Sequence, residues 1–323
     1  MVCTPASASV PSSASQPASL RVAYFGDSFT WGQGNHTDDK FSRLFARDLE
    51  ARTGIPVDTS DYSHSGAPLS LYHDGQPPLS TGPCDAGFAT PGEVPSPSPA
   101  VLDCQIPAAA ESGHRFDLVV LDGCIVDIGV FPPADATDYR SQTALSSGTL
   151  SIPEAMDTYC KKQLASSIQA AHALPGNPNV AIVGAHYPFS EQSVPDEVAN
   201  ALNGSLGSQV SDSFVEQFIA RNSDYVGHYR QIARDAIVSA GDWATYVESG
   251  LGPENALFAP QSKQWNGTDD PLFAERTAQC APYLAEFPAC PLASIAHPNS
   301  AGQQQIAANL INNPSITSWF PQR

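Results

Sequence analysis

The chain has 323 residues, with 15 Lys or Arg against 33 Asp or Glu, and its formal net charge is -18. This acidic balance opposes nucleic-acid binding, because such affinity comes largely from basic side chains that neutralise phosphates. No apolar run approaches the roughly 20 residues needed to cross a bilayer. We therefore expect no nucleic-acid partner and no transmembrane segment, and the length allows one large domain.

The N-terminal residues 1–19 form a tract rich in Ser, Pro and Ala. Such a composition cannot bury enough apolar surface to become ordered, so we interpret the tract as a disordered linker and predict a single domain over residues 20–323. Cys3 precedes the tract. It could be a lipid-anchor site that tethers the chain, although a cloning or start-site remnant is the favoured interpretation.

Short apolar runs rich in β-branched residues alternate with helical patterns along the chain. The apolar runs predict buried parallel strands, and the helical patterns have apolar residues at helical spacing. This βα alternation predicts a doubly wound, mainly parallel sheet flanked by helices, a flavodoxin-like three-layer sandwich. The strands are predicted at 20–25, 116–122 and 179–187, and the helices at 41–49, 160–171 and 226–237, with a C-terminal helix within 297–311 that begins just after His297.

A segment rich in Pro, Gly and Ser interrupts this alternation between about 67 and 113. It is too long for an ordinary connection in a compact domain. We expect a surface insertion here, pinned by a disulfide between Cys84 and Cys104.

Seven cysteines are scattered without the spacing of a zinc site, so we interpret them as disulfides formed in an oxidising compartment. Sequence proximity favours the pairs Cys84–Cys104 and Cys280–Cys290, which leaves Cys124 and Cys160 as the third and least determined pair. A secreted or otherwise extracytoplasmic chain is expected. The three Asn-x-Ser/Thr sequons at Asn35, Asn203 and Asn266 fit that location but also arise by chance.

The segment GDSFTWGQG, at 26–34, follows the first predicted strand. Ligands of open α/β sheets bind beyond the carboxyl ends of the strands, which is where Ser28 is expected. If a helix begins near Ser28, its hydroxyl and N–H lie at the positive end of the helix dipole, as suits a nucleophile and an oxyanion donor. The alternative is that Ser28, or Asp27, only caps that helix.

The combination of this serine with a late histidine resembles the GDSL/SGNH hydrolase family. Four blocks match in family order: GDSFTWGQG, then YSHSGAPLS around Gly66, then DGCIVDIG at 122–129, and finally AHPNSAG around His297. The resemblance implies that Ser28 is the nucleophile and His297 its base. It also implies that the N–H groups of Ser28 and Gly66 bind the oxyanion.

Two positions depart from the family pattern. Val126 stands where the family has an Asn that donates to the oxyanion, and Ser294 stands where it usually has the Asp that orients the histidine. Some family members instead use a Ser–His dyad with a main-chain carbonyl on the imidazole, and Asp269 or Asp270 could also supply a carboxylate. His186, near the end of a predicted strand, is interpreted as a structural histidine.

The resemblance implies a serine ester hydrolase that acts on carboxylic esters through an acyl-enzyme, with a degenerate oxyanion hole. Lipid esters, acetylated sugars and small acyl esters all fit as substrates. The alternatives are a catalytically impaired binding module and an acyltransferase that uses the same site. No cofactor or metal is implied, and we expect a monomer.

Overall fold

The computed structural model describes residues 19–70, 101–128, 151–206, 209–281, 284 and 290–322. These residues contain a five-stranded, fully parallel sheet in the order β2-β1-β3-β4-β5. The predicted doubly wound fold class is thereby confirmed. The strands are β1 (Leu20–Phe25), β2 (Val57–Asp61), β3 (Leu118–Leu121), β4 (Asn179–Val183) and β5 (Ala244–Val247).

Helices cover both faces of the sheet, because its central strands are apolar on both sides. In β1, Ala23 and Phe25 pack against one helical layer, and Val22 and Tyr24 pack against the other. The first layer consists of α3 (Leu102–Glu111), α5 (Ile152–Tyr159), α6 (Lys161–His172) and α8 (Asp212–Ala240). The second layer consists of α2 (Phe41–Thr53), α10 (Ser300–Asn312) and α11 (Pro314–Trp319).

The remaining helices lie at the ends of strands or on the periphery. They are α1 (Ser28–Trp31), α4 (Ile125–Ile128), α7 (Pro195–Leu206) and α9 (Phe273–Cys280). A separate apolar cluster joins α7 to the start of α8 through Val198, Leu202 and Phe218. Ala296 and Ile295 also pack in this cluster, so it supports the segment immediately before His297.

The three predicted strands are present, although β3 and β4 are shorter than their apolar runs. Strands β2 and β5 have no such pattern in the sequence. Strand β2 lies at one edge of the sheet, and its polar sequence VDTSD gives no apolar run. Strand β5 lies at the opposite edge, and its sequence ATYV lacks the continuous aliphatic run of β3, LVVL. The helix predicted at 226–237 is the second half of α8, which begins at Asp212 with Ser211 as its N-terminal cap.

The range predicted as a surface insertion contains a core helix at its C-terminal end. Helix α3 buries Leu102, Ile106 and Ala109 against the sheet. Pro107 inside the helix and the surrounding Ala residues hid its periodicity in the sequence. Residues 71–100 of that range, which include Cys84, lie outside the described residues. Residues 1–18 of the predicted linker also lie outside them.

Disulfides join Cys124 to Cys160 and Cys280 to Cys290, as predicted. Cys104 is also disulfide-bonded. The Cys124–Cys160 bond connects the start of α4 to the junction of α5 and α6. Among the helices of the described residues, none combines the length and apolar character that a membrane crossing demands.

Candidate active site

Ser28 lies at the carboxyl edge of the sheet, where β1 leads into α1. Asp27 caps this helix, and its carboxylate accepts a hydrogen bond from Phe29 N at 2.9 Å. Because Ser28 is the first residue of α1, its own N–H has no acceptor within the helix. The capping role considered for both residues therefore belongs to Asp27, and the hydroxyl of Ser28 contacts His297 instead.

His297 lies in the turn before α10, and its Nε2 atom is 2.7 Å from Ser28 Oγ. Its other ring nitrogen, Nδ1, is 3.0 Å from the main-chain oxygen of Ile295. A carbonyl oxygen can only accept, so Nδ1 carries the proton and Nε2 is free to accept from the serine hydroxyl. A main-chain carbonyl thus orients the imidazole.

The imidazole of His297 is held in its neutral form. Burial lowers its pKa well below the usual 6.5, and a positive charge on the neighbouring His186 ring would lower the pKa further. The hydrogen bond to Ile295 opposes this effect but does not cancel it. A neutral imidazole that contacts a serine hydroxyl can act as a general base.

Asn35 and Gln303 tie the nucleophile loop to the start of α10. The Asn35 Nδ2 atom donates to Pro298 O at 2.8 Å, and Asn35 is only 1% exposed. Gln303 Nε2 donates to the same oxygen at 3.3 Å, while its Oε1 accepts from Phe41 N at 2.8 Å. These bonds hold two segments from opposite ends of the chain at a fixed separation.

Gly26 allows the carboxylate of Asp122 to approach the backbone two residues before Ser28. A Cβ atom there would lie 1.7 Å from Asp122 Oδ1, and its φ of +142° also disfavours other residues. Asp122 accepts from Thr30 Oγ1 at 2.7 Å and from Asp27 N at 3.2 Å. Gln105 of α3 bonds both the N–H and the carbonyl of Gly26, at 2.9 and 3.0 Å. No sequence motif surrounds Gln105, so the sequence does not indicate its role.

Asp27 and Asp122 form a buried carboxyl pair next to the nucleophile. Burial raises the pKa of Asp122 to about 6, and it raises the pKa of Asp27 well above 3.8, with the Asp122 charge as the second cause. Two adjacent buried carboxyl groups do not both ionise readily near neutral pH. Burial and the proximity of the two carboxyl groups therefore oppose the ionisation of both next to Ser28.

Gly66 lies in a loop after β2 that is anchored on both sides. Its φ of +76° is in the left-handed region that favours glycine. On one side His64 N donates to Gly26 O at 3.0 Å. On the other, Leu69 N donates to both carboxylate oxygens of Asp127, at 3.0 and 3.1 Å. The loop is thus connected to the nucleophile segment and to α4.

Val126 is a half-buried residue of α4, directly before Asp127. The backbone enters α4 through Cys124, whose φ is +89° and whose sulfur is bonded to Cys160. An isopropyl side chain donates no hydrogen bond, so Val126 has nothing to offer an oxyanion. Gly66 and Val126 are thus linked to each other through Asp127 and Leu69.

Ser294 is fully buried, and its hydroxyl donates to Asp270 Oδ2. The same carboxylate oxygen pairs with Arg276 Nη1 at 2.8 Å, and both side chains of this ion pair are buried. Of the two carboxylates considered from the sequence, Asp270 therefore reaches Ser294. Asp269 is exposed and accepts instead from Asn266 N at 3.0 Å.

His186 connects the segments that carry the serine and the histidine. Its Nε2 donates to Ala296 O at 2.8 Å, and its ring stacks on Phe29 at 5.1 Å between centroids. Burial lowers its pKa to about 4, so it remains neutral. Its position after β4 was the only sequence signal for this arrangement.

Within the described residues, no cluster of His, Cys, Asp and Glu side chains could hold a metal ion. The sequence matches no protein-family model and no curated protein. Comparison with solved structures gives similar folds at low sequence identity.

One similar structure is an extracellular lipase from Streptomyces rimosus, 12% identical, with a TM-score of 0.50 over 93% of this chain and 99% of the lipase. A phospholipase A1 from Streptomyces albidoflavus is 14% identical, with a TM-score of 0.48 and the same two coverages. A carbohydrate esterase family 2 enzyme from Myceliophthora fergusii is 14% identical, with a TM-score of 0.47 over 96% of this chain and 68% of its own. The fold is consistent with that of SGNH hydrolases.

Proposed function

We propose that this chain is a serine ester hydrolase of the GDSL/SGNH type. The proposal rests mainly on one observation: Ser28 Oγ lies 2.7 Å from Nε2 of a histidine whose Nδ1 is bonded to a main-chain carbonyl. Nucleophile and base within hydrogen-bond reach, with the base oriented by a third group, form the arrangement that activates a serine.

In the proposed reaction, Ser28 Oγ attacks the ester carbonyl while His297 Nε2 takes the hydroxyl proton. The imidazolium then gives this proton to the leaving alcohol, and an acyl-serine remains. Water attacks the acyl-serine with His297 again as base, which releases the carboxylic acid and restores the serine. An alcohol in place of water would give acyl transfer through the same intermediate.

The oxyanion is proposed to bind the N–H groups of Ser28 and Gly66. Val126 supplies no third donor, and loss of one such donor costs roughly 10²–10³ in turnover. We therefore propose a slow hydrolase. Neutral carboxylic esters, either lipid or acyl-sugar, are the proposed substrates, because the net charge of -18 disfavours the approach of anions. The two described disulfides and the disulfide-bonded Cys104 support an extracytoplasmic location.

Labelling with a fluorophosphonate probe tests this proposal directly. The wild-type protein should react covalently at Ser28, and the variants Ser28→Ala and His297→Ala should not react. Hydrolysis of p-nitrophenyl acetate and butyrate should be lost in the same two variants. Val126 is the observation that favours the second candidate, a binding module without turnover. Absence of labelling in folded, disulfide-intact protein would select that candidate.

A further inference from the structure

We propose that Asp270 is a positioning residue for His297 and that it acts through the hydroxyl of Ser294. This inference rests on the proposed hydrolase function, because it assigns a role in orienting the general base. Asp270 lies 24 residues before Ser294 in the chain, and their hydrogen bond is fully buried. The carboxylate contacts the turn that carries the histidine rather than the imidazole itself.

The turn from Ser294 to His297 provides the carbonyl that orients the imidazole. His297 N donates to Ser294 O at 3.0 Å, and Ile295 O lies between these two residues in the chain and receives the Nδ1 proton. A small rotation of this turn would move Ile295 O away from Nδ1. The anchor on Ser294 therefore contributes to the position of the acceptor for the imidazole proton.

Main-chain bonds to Trp265 hold the second half of this turn, and in the first half Ile295 N donates to Leu292 O at 2.9 Å. Ala296 N donates to Trp265 O at 3.1 Å, and Trp265 N donates to His297 O at 2.9 Å. Ser294 precedes these bonds, and its hydroxyl is the polar group by which the first half of the turn is anchored to Asp270. The turn is thus fixed at both ends.

Asp270 is itself held in a defined orientation. Its Oδ1 atom accepts from Leu272 N at 2.8 Å, which leaves Oδ2 to Ser294 and Arg276. Arg276 is fully buried and compensates the carboxylate charge. A buried charged pair with fixed geometry is a rigid anchor, because neither side chain can leave without exposing an uncompensated charge. The network thus gives the turn a rigid attachment point.

The test is a double-mutant cycle with Ser294→Ala and Asp270→Asn. Ser294→Ala removes the hydroxyl but retains the Asp270–Arg276 pair, and Asp269→Asn is the matched control at the adjacent exposed position. We expect Ser294→Ala to lower kcat on p-nitrophenyl acetate by about 10-fold to 100-fold with little change in KM. Asp270→Asn should lower kcat in the wild-type background but not further in the Ser294→Ala background.

A second readout does not depend on turnover. ¹⁵N NMR of the histidine side chains should show the Nδ1–H tautomer of His297 in the wild-type protein and in Asp269→Asn. Ser294→Ala should shift the population towards the Nε2–H tautomer, because Ile295 O no longer holds its position. If the wild-type protein proves inactive, the hydrolase proposal fails, whereas the tautomer measurement still decides the positioning role.

Independent, additive losses of kcat in the two variants would overturn the proposal, as would a Ser294→Ala protein with wild-type kcat and the wild-type tautomer. A rise in KM with unchanged kcat would also contradict it. If Asp270→Asn does not fold, because Arg276 loses its counter-charge, the kcat and the tautomer of Ser294→Ala decide the question alone.

Discussion

Ser28 Oγ and His297 Nε2 lie 2.7 Å apart although 269 positions separate the two residues in the chain. Asn35 and Gln303 fix this proximity through Pro298 O. The neutral imidazole then receives its orientation from Ile295 O.

The decline of kcat/KM at acidic pH should occur below pH 6.5. Only the neutral imidazole accepts the serine proton, and burial lowers the pKa of His297, so kcat/KM should stay constant as the pH falls through 6.5 and should decline only at lower pH. Ester hydrolysis measured from about pH 4 to 8, with circular dichroism to exclude acid unfolding, checks this. A midpoint at or above 6.5 would contradict the assigned environment of His297.

Val126→Asn should increase kcat. If position 126 faces the oxyanion, as the resemblance implies, an Asn amide restores a donor that strengthens mainly in the transition state, and kcat should rise by about 10²-fold or somewhat less, with a smaller effect on KM. Val126→Leu is the matched control, since Leu has the branching of Asn without a donor. An unchanged or lower kcat in Val126→Asn would mean that this position does not face the oxyanion.

His186→Gln should destabilise the protein more at pH 7.5 than at pH 4.5. The native His186 has a pKa of about 4, whereas an unfolded histidine titrates near 6.5, so the unfolded state binds the extra proton between these values. Acidification through this window therefore lowers the free energy of unfolding of the wild-type protein by up to about 3 kcal/mol. A Gln at this position does not titrate and causes no such loss. Urea unfolding at both pH values measures the difference, with His114→Gln as the exposed control. If the free energies of unfolding of the wild-type protein and His186→Gln differ by the same amount at both pH values, the assigned titration of His186 is refuted.

Denaturing thiol titration of the oxidised protein should detect one free thiol, that of Cys3. All five described cysteines are disulfide-bonded, and Cys84 is the predicted partner of Cys104. Cys3→Ser should remove the remaining signal. Five or more free thiols in the native preparation would be incompatible with an oxidising compartment.

The sequence predicts much of this arrangement, because local signals mark the central strands and the blocks around Ser28, Gly66 and His297. The edge strands β2 and β5 are not predicted, since VDTSD is polar and the residues ATYV of β5 include Thr and no continuous aliphatic run. The sequence does not indicate Gln105, and it offers Asp270 only as one of two candidate carboxylates, for another reason. Their contacts with Gly26 and Ser294 span 79 and 24 positions and depend on tertiary packing that no local pattern encodes.

The buried amide of Asn35 also bears on how the chain can be processed. Asn35 starts the sequon Asn-His-Thr, yet its Nδ2 atom is the one that donates to Pro298 O, and the residue is 1% exposed. Attachment of a sugar requires that same nitrogen. A glycan at Asn35 and this fold are therefore mutually exclusive. A eukaryotic secretory host that modified the nascent chain at this sequon would produce a protein unable to bring its serine and histidine together.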